Sequence, residues 1–243
     1  MRTWMMMGTA VVLMGSASAV QATNAWETTV SAGLNVTSGN SDSTVVNAGV
    51  TSVRTQGKHE LRLLAEANYG ESKTDGDEQI TADNAKGSLE YKYTINGSFL
   101  YANNSIFRDR VADLDLRLIL GAGGGYHLIK SETAKLDLEL GAAFIREERA
   151  DDTEDDSIAL RVAARHDQAI SETAKLWAAV EYLPQADDTD IYLVNSEAGV
   201  EAVLSRRIQL NLRLVAQHRY DSDVPEGREN SDLALISALV YKH

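Results

Sequence analysis

From Trp26 onward the sequence alternates between apolar and polar positions with a period of two. Leu136, Leu138, Leu140, Ala142 and Phe144 alternate with Lys135, Asp137, Glu139, Gly141 and Ala143. The same pattern sets Leu114, Leu116, Leu118 and Leu120 against Asp115, Arg117, Ile119 and Gly121, and Ile208, Leu210, Leu212 and Leu214 against Gln209, Asn211 and Arg213. Successive side chains of a strand point to opposite faces, so each run reads as a strand with one apolar face. Twelve such strands are predicted, at 26–38, 43–55, 59–71, 79–93, 97–109, 114–129, 134–147, 157–170, 174–185, 190–204, 208–221 and 231–243.

Soluble sandwiches also alternate, and strand length separates the two cases. Most of these strands exceed ten residues, whereas soluble strands cluster near ~5 or 6 residues and a tilted membrane strand needs ~9 to 11. The connections at 56–58, 94–96, 130–133, 171–173 and 205–207 are tight, while most of the others are longer and acidic. Short turns at one end and long loops at the other mark an outer-membrane barrel. Ser-Glu-Thr-Ala-Lys occurs at both 131–135 and 171–175, on two of the tight turns, and reads as a repeated hairpin. The predicted fold is all-β, an antiparallel up-and-down transmembrane β-barrel of about twelve strands.

Aromatic residues support the same reading. Tyr91, Tyr93, Tyr101, Tyr126 and Tyr241, with Trp26 and Phe99, lie toward the tight-turn ends of the predicted strands. Tyr69, Tyr182, Tyr192 and Tyr220, with Phe107 and Phe144, lie toward the long-loop ends. Two belts of amphipathic rings around an aliphatic band match the two interfaces of a bilayer.

Composition narrows the setting. The chain has 243 residues, 44% hydrophobic and 24% charged, enough for one domain with substantial buried surface. The absence of cysteine excludes a disulfide framework, a thiolate zinc site and a cysteine nucleophile. A net charge of -13 argues against a nucleic-acid partner, which would need a basic face. Arg2, the apolar stretch Met5 to Met14 and the small residues Ala17-Ser18-Ala19 predict a signal peptide over 1–19, followed by a barrel domain over 20–243. Past residue 20 no uncharged apolar run approaches the ~20 residues of a spanning helix.

Trp26-Glu27, the segment Gly33-Leu34-Asn35-Val36-Thr37-Ser38-Gly39-Asn40-Ser41-Asp42, Gly125-Tyr126-His127-Leu128-Ile129 and Leu136-Asp137-Leu138-Glu139-Leu140-Gly141 carry a resemblance. Over nearly the whole mature chain the sequence resembles the YdiY-like family, labelled salt-induced outer-membrane proteins and catalogued as a domain of unknown function. The resemblance implies an outer-membrane β-barrel without an established activity and supplies no catalytic residues. Many bacterial barrels end in an aromatic that the barrel assembly machinery reads; here Tyr241 is followed by Lys242 and a terminal His243. Expected partners are outer-membrane lipid, lipopolysaccharide and that machinery, with the barrel a monomer; no cofactor is expected.

With the apolar face toward lipid, the opposite face carries the chemistry. Glu27, Glu60, Glu66, Glu90, Asp115, Asp137, Glu139, Asp167, Glu181, Glu197 and Glu201 point inward, together with Arg62, Lys86, Lys92, Arg117, Lys135, Arg161, Arg165, Lys175, Arg213 and Arg219. The core of the expected lumen network is Glu66, Lys86, Glu90, Asp115, Arg117, Asp137, Glu139, Arg161, Arg165, Glu197 and Arg213. Eleven acids against ten bases suit mutual pairing, which either occludes the bore or lines a narrow polar pore. A structural or salt-stress part in the envelope follows from the first case, passage of ions or small solutes from the second.

The segments at the long-loop end, 39–42, 71–78, 108–113, 147–156, 185–190 and 221–232, hold 22 of the 36 acids but only 5 of the 23 bases. Asp151, Asp152, Glu154, Asp155 and Asp156 form the densest run and are the candidate ligands for Ca²⁺ or Mg²⁺, beside lipopolysaccharide phosphates. No segment matches the twelve-residue calcium loop with its central glycine, and a solvated, self-repelling rim is the competing reading. His166 beside Asp167, and His218 near Tyr220 and Asp221, lie near strand ends, where a surface hydrolase could pair a histidine with rim aspartates to activate water. No Gly-x-Ser-x-Gly or comparable cluster accompanies them, so no catalytic site is predicted.

Overall fold

The computed structural model describes residues 25–37, 42–74, 77–224 and 229–242. The expected signal peptide at 1–19 lies outside the described residues. The strands are β1 (Glu27–Thr37), β2 (Asp42–Gln56), β3 (His59–Thr74), β4 (Asp77–Ile95), β5 (Ser98–Asp109), β6 (Leu114–Lys130), β7 (Ala134–Arg149), β8 (Glu154–Ser171), β9 (Ala174–Pro184), β10 (Tyr192–Ser205), β11 (Leu210–Asp221) and β12 (Ser231–Lys242). Each pairs antiparallel with its sequence neighbours, and β1 pairs with β12 to close the barrel. An even strand number brings Glu27 and Lys242 to the same, tight-turn end. There the β4–β5 turn is Asn96-Gly97, with φ of 48° and 90°, the two positive-φ positions of a tight hairpin that suit Asn and Gly.

Apolar side chains face outward along every strand. Leu100, Leu140 and Ile158 are 58%, 59% and 60% exposed to the barrel's surroundings. In water such a surface would aggregate, whereas in a bilayer it is the solvated face. Inside, the packed apolar side chains cluster on one wall: Ile119, Ala143, Ile145, Ala159, Leu183 and Leu193.

Two expectations about facing change. The β5–β6 and β6–β7 ladders shift register beside Leu114, which turns inward and is buried while Asp115 is exposed. A bulge breaks the simple alternation, and Asp115 therefore leaves the expected lumen set. Phe99, Tyr101 and Phe107, expected in the lipid belts, share the inward face of β5 with Asn103 and Asp109. Phe99 and Tyr101 are buried, and the Arg219 guanidinium lies 4.1 Å from the Phe107 ring centre. Glycines make room for these rings. A Cβ on Gly125 would collide with the Phe99 ring, one on Gly141 with the Tyr101 hydroxyl, and one on Gly199 with the Trp177 indole.

The closing seam is the shortest ladder. Among the described residues β1 pairs with β12 only from Thr29 to Ala32, opposite Lys242 to Leu239. In contrast, β1 pairs with β2 along its whole length, and β12 pairs with β11 from Ser231 to Tyr241. Just beyond the ladder the Ser237 hydroxyl donates to Asn35 Oδ1 at 2.7 Å.

Candidate functional site

The lumen is asymmetric, filled on one side and open on the other. On the filled side Lys92 of β4 reaches past β5 and β6 to β7, where its ammonium lies 2.7 Å from Glu139 Oε1. The other Glu139 oxygen accepts from Arg161 Nη1 at 2.7 Å, and Arg161 Nε donates to Glu181 at 2.6 Å. Asn195 Nδ2 donates to the second Glu181 oxygen at 3.1 Å. Lys92 also lies 3.4 Å from Glu90 and 3.8 Å from Asp137, and Asp137 meets His127 Nδ1 at 2.6 Å and Lys135 at 3.1 Å. Lys92, Asp137, Glu139 and Arg161 are all buried. Aromatic faces complete their surroundings, with Lys92 over Phe99 and Arg161 over Tyr101. Each of these poorly hydrated charges meets two or more opposite partners, which offset part of its lost hydration.

Three smaller groups surround this lattice. Arg117 on β6 binds Glu147 on β7 and, across the bore, Asp221 on β11. Arg165 holds Asp167 at 2.9 Å and approaches Glu197 at 3.6 Å, while Glu197 accepts from the Trp177 indole N–H at 2.9 Å. Glu201 gathers Arg213 at 2.8 Å, Asn211 at 2.7 Å and Lys242 at 2.6 Å. Glu66 and Lys86 stand opposite each other in the β3–β4 register, yet among the described residues neither makes an ion pair within bonding reach.

Of the expected network, the structure thus brings Glu90, Asp137, Glu139 and Arg161 into one lattice. It sets Arg117, Arg165, Glu197 and Arg213 in the smaller groups and leaves Glu66 and Lys86 on the open side. Asp115 takes no part. Lys92 and Glu181, legible as inward by alternation, are central to the lattice although the core set omits them. Glu147 and Asp221 were assigned to acidic loops; both lie on strands and turn inward. The signal for them was parity, since Glu147 continues the inward series Gly141, Ala143, Ile145 and Asp221 continues Arg213, Val215, Gln217, Arg219.

On the open side, two cavities share the bore. The one toward the long loops, about 550 Å³, is lined by Asn68, Asn84, Phe107, Asp109, Arg117 and Arg219 among others. The one toward the tight turns, about 620 Å³, is lined by Glu27, Arg62, Glu66, Trp177, Glu197 and Arg213 among others. Asn47, Asn68, Gln217 and Ile236 line both, forming an uncharged waist.

Among the described residues the acidic rim is divided between separate partners. β8 begins at Glu154, so the run 151–156 is split between a turn and a strand. Asp156 is held by Arg146 in a two-point ion pair at 2.6 Å, and Asp151 accepts from the Thr153 backbone at 3.1 Å. That hydrogen bonding to Thr153 holds the Asp151 carboxyl below the usual carboxylate range. Asp151, Asp152, Glu154, Asp155 and Asp156 form no cluster of three that could hold a metal, and no such cluster occurs among the described residues.

Comparison with known proteins places the fold. A family model described as a protein of unknown function, DUF481, matches residues 30–243. No curated protein matches the chain. An outer membrane channel from Pseudomonas putida F1 is similar at 14% identity and a TM-score of 0.52, covering 96% of this chain and 100% of that one. The translocator domain of autotransporter NalP from Neisseria meningitidis is 10% identical, with a TM-score of 0.47 over 88% of this chain and 86% of that one. An anion-selective porin from Comamonas acidovorans is 11% identical, with a TM-score of 0.41 over 90% of this chain and 100% of that one. The similarity to the channel supports the outer-membrane β-barrel fold and nothing finer.

Proposed function

We infer a function from geometry alone, because the chain belongs to DUF481, a family whose description assigns none: a narrow, weakly conducting pore for ions and small hydrophilic solutes in the outer membrane. The carrying observation is the pair of cavities of about 550 and 620 Å³, one toward each end of the barrel, meeting at Asn47, Asn68, Gln217 and Ile236. Uncharged amides at a constriction offer hydrogen bonds without fixing a permanent charge, which suits passage of both signs of ion. The lattice of Lys92, Glu139 and Arg161 restricts the bore to one side, so the unit conductance is small.

Reconstitution in planar bilayers tests this. Small unitary steps are expected, and Gln217→Trp, which fills the waist, should reduce them strongly while leaving the barrel folded. Absence of steps above baseline in the unmodified protein, or steps unaffected by Gln217→Trp, would overturn the pore.

A structural part in the envelope under salt stress is a second reading. It is favoured by the cross-bore ion pairs, Lys92 with Glu139 and Arg117 with Asp221, which tie distant strands together. A deletion strain compared across salt and divalent-ion concentrations separates the two, since loss of viability without loss of solute uptake supports the structural reading.

A further inference from the structure

The seam between β1 and β12 opens on the long-loop side. Continuing the register of its four pairs would bring Val36 opposite Leu235, yet from Gly33 to Thr37 β1 has no ladder partner among the described residues of β12. Above the Ser237–Asn35 contact the edge of β12 from Ile236 to Ala234 has no ladder partner among the described residues of β1. Its depth follows from the neighbouring strand: Ser231 pairs with Tyr220, which stacks on Tyr192 with ring centres 5.6 Å apart in the outer aromatic belt. Leu233 and Leu235 therefore lie just inside the hydrocarbon. They are 77% and 76% exposed, against at most 60% for the other large outward apolar residues, and Leu235 has no ladder partner among the described residues of β1.

The upper cavity reaches this gap. Leu233 and Leu235 on the outer face of β12, and Ala234 and Ile236 on its inner face, line the same cavity. A space bordered by both faces of one strand passes around that strand's edge. An unpaired edge at this depth is tolerated only where it borders a polar cavity or is covered. Within the cavity, Arg219 has no hydrogen bond among the described residues; its guanidinium lies over Phe107 and 3.8 Å from Asp109. The apolar mouth and a guanidinium with only a long ion pair and no hydrogen bond among the described residues together define the occupant by chemistry.

We propose that the β1–β12 seam is a lateral portal through which an anionic amphiphile of the outer leaflet places its head group at Arg219, its apolar chain remaining against Leu233 and Leu235. Phosphate or carboxylate oxygens accept from the guanidinium, and the polar head hydrates the free strand edge. Axial conduction is not required, so failure of the pore reading leaves the portal standing, and the reverse.

The chain contains no cysteine, so single cysteines report directly. Ala234→Cys, on the cavity side of β12, and Asn84→Cys, on β4 in the same cavity, are prepared in the full barrel in liposomes. Each is alkylated with N-dodecylmaleimide, which partitions into the bilayer, and with N-ethylmaleimide from water. The portal gives a dodecyl-to-ethyl rate ratio on the order of tenfold higher at position 234 than at position 84; equal ratios overturn it. Reaction with N-ethylmaleimide and heat-modifiable migration show that both variants are folded. Dodecyl phosphate should protect Ala234→Cys from the dodecyl reagent, and Arg219→Gln should abolish that protection. Equal protection by dodecyltrimethylammonium overturns the anionic head group, and protection by inorganic phosphate alone overturns the membrane source.

Discussion

Lys92 and Glu139 lie 47 residues apart and three strands apart around the barrel, yet their side chains meet at 2.7 Å inside it. Glu139 in turn binds Arg161, which makes it the shared anion of two buried cations. Replacing it strands both.

Glu139→Gln should therefore destabilise the barrel by ~3 to 5 kcal/mol where the lattice is dry, and by less where lumen water reaches it. Glu172→Gln is the comparison, because Glu172 meets Arg206 with its side chain 92% exposed, and such pairs contribute little. Urea unfolding followed by heat-modifiable migration measures the difference; equal midpoints for the two variants would contradict the buried lattice.

The face assignment is checked one residue away. Leu138 is 42% exposed on the outer face, so Leu138→Arg places a cation in hydrocarbon at a cost of ~2 to 4 kcal/mol. Reduced assembled protein in membrane fractions is the expected outcome, and normal yield would reverse the orientation of β7.

Close packing of rings on glycines predicts a contrast between two substitutions. Gly199→Val meets the Trp177 indole and should cost ~1 to 3 kcal/mol by overpacking, whereas a Cβ at Gly87 meets nothing within 4 Å. Gly87→Ala should thus be near neutral in the same unfolding assay.

Arg117 bridges Glu147 and Asp221 across the bore. Arg117→Ala removes the bridge, leaves two carboxylates without that cation and widens the upper lumen. Single-channel recording should show larger steps shifted toward cation selectivity; unchanged conductance and reversal potential would show that Arg117 does not border the path.

Loop asymmetry fixes orientation. An epitope inserted between Asp151 and Asp152 should be labelled on intact cells, and one between Glu132 and Thr133 only after permeabilisation of the outer membrane. Equal labelling without permeabilisation would invert the topology.

Alternation over Leu136 to Phe144 and its counterparts, taken with strand length and the contrast between tight turns and long loops, was sufficient to determine twelve strands, the closed antiparallel class and which side of most strands meets lipid. Strand ends fall within three residues of their expected positions, because a period of two is a local property that burial in a bilayer makes obligatory. Tertiary structure decided what local pattern could not encode. Leu114 and Asp115 exchanged faces at a bulge, and Phe99 and Tyr101 turned inward because Gly125 and Gly141, on other strands, left space for them. Pairing among the inward charges was equally undetermined: near-equal numbers of acids and bases permit many matchings. Only the curvature of the closed sheet, which brings β4 within reach of β7 and β6 within reach of β11, selected Lys92 with Glu139 and Arg117 with Asp221. The short β1–β12 ladder belongs to the same class, since both strands alternate normally and the seam's length depends on how the ends of the sheet meet.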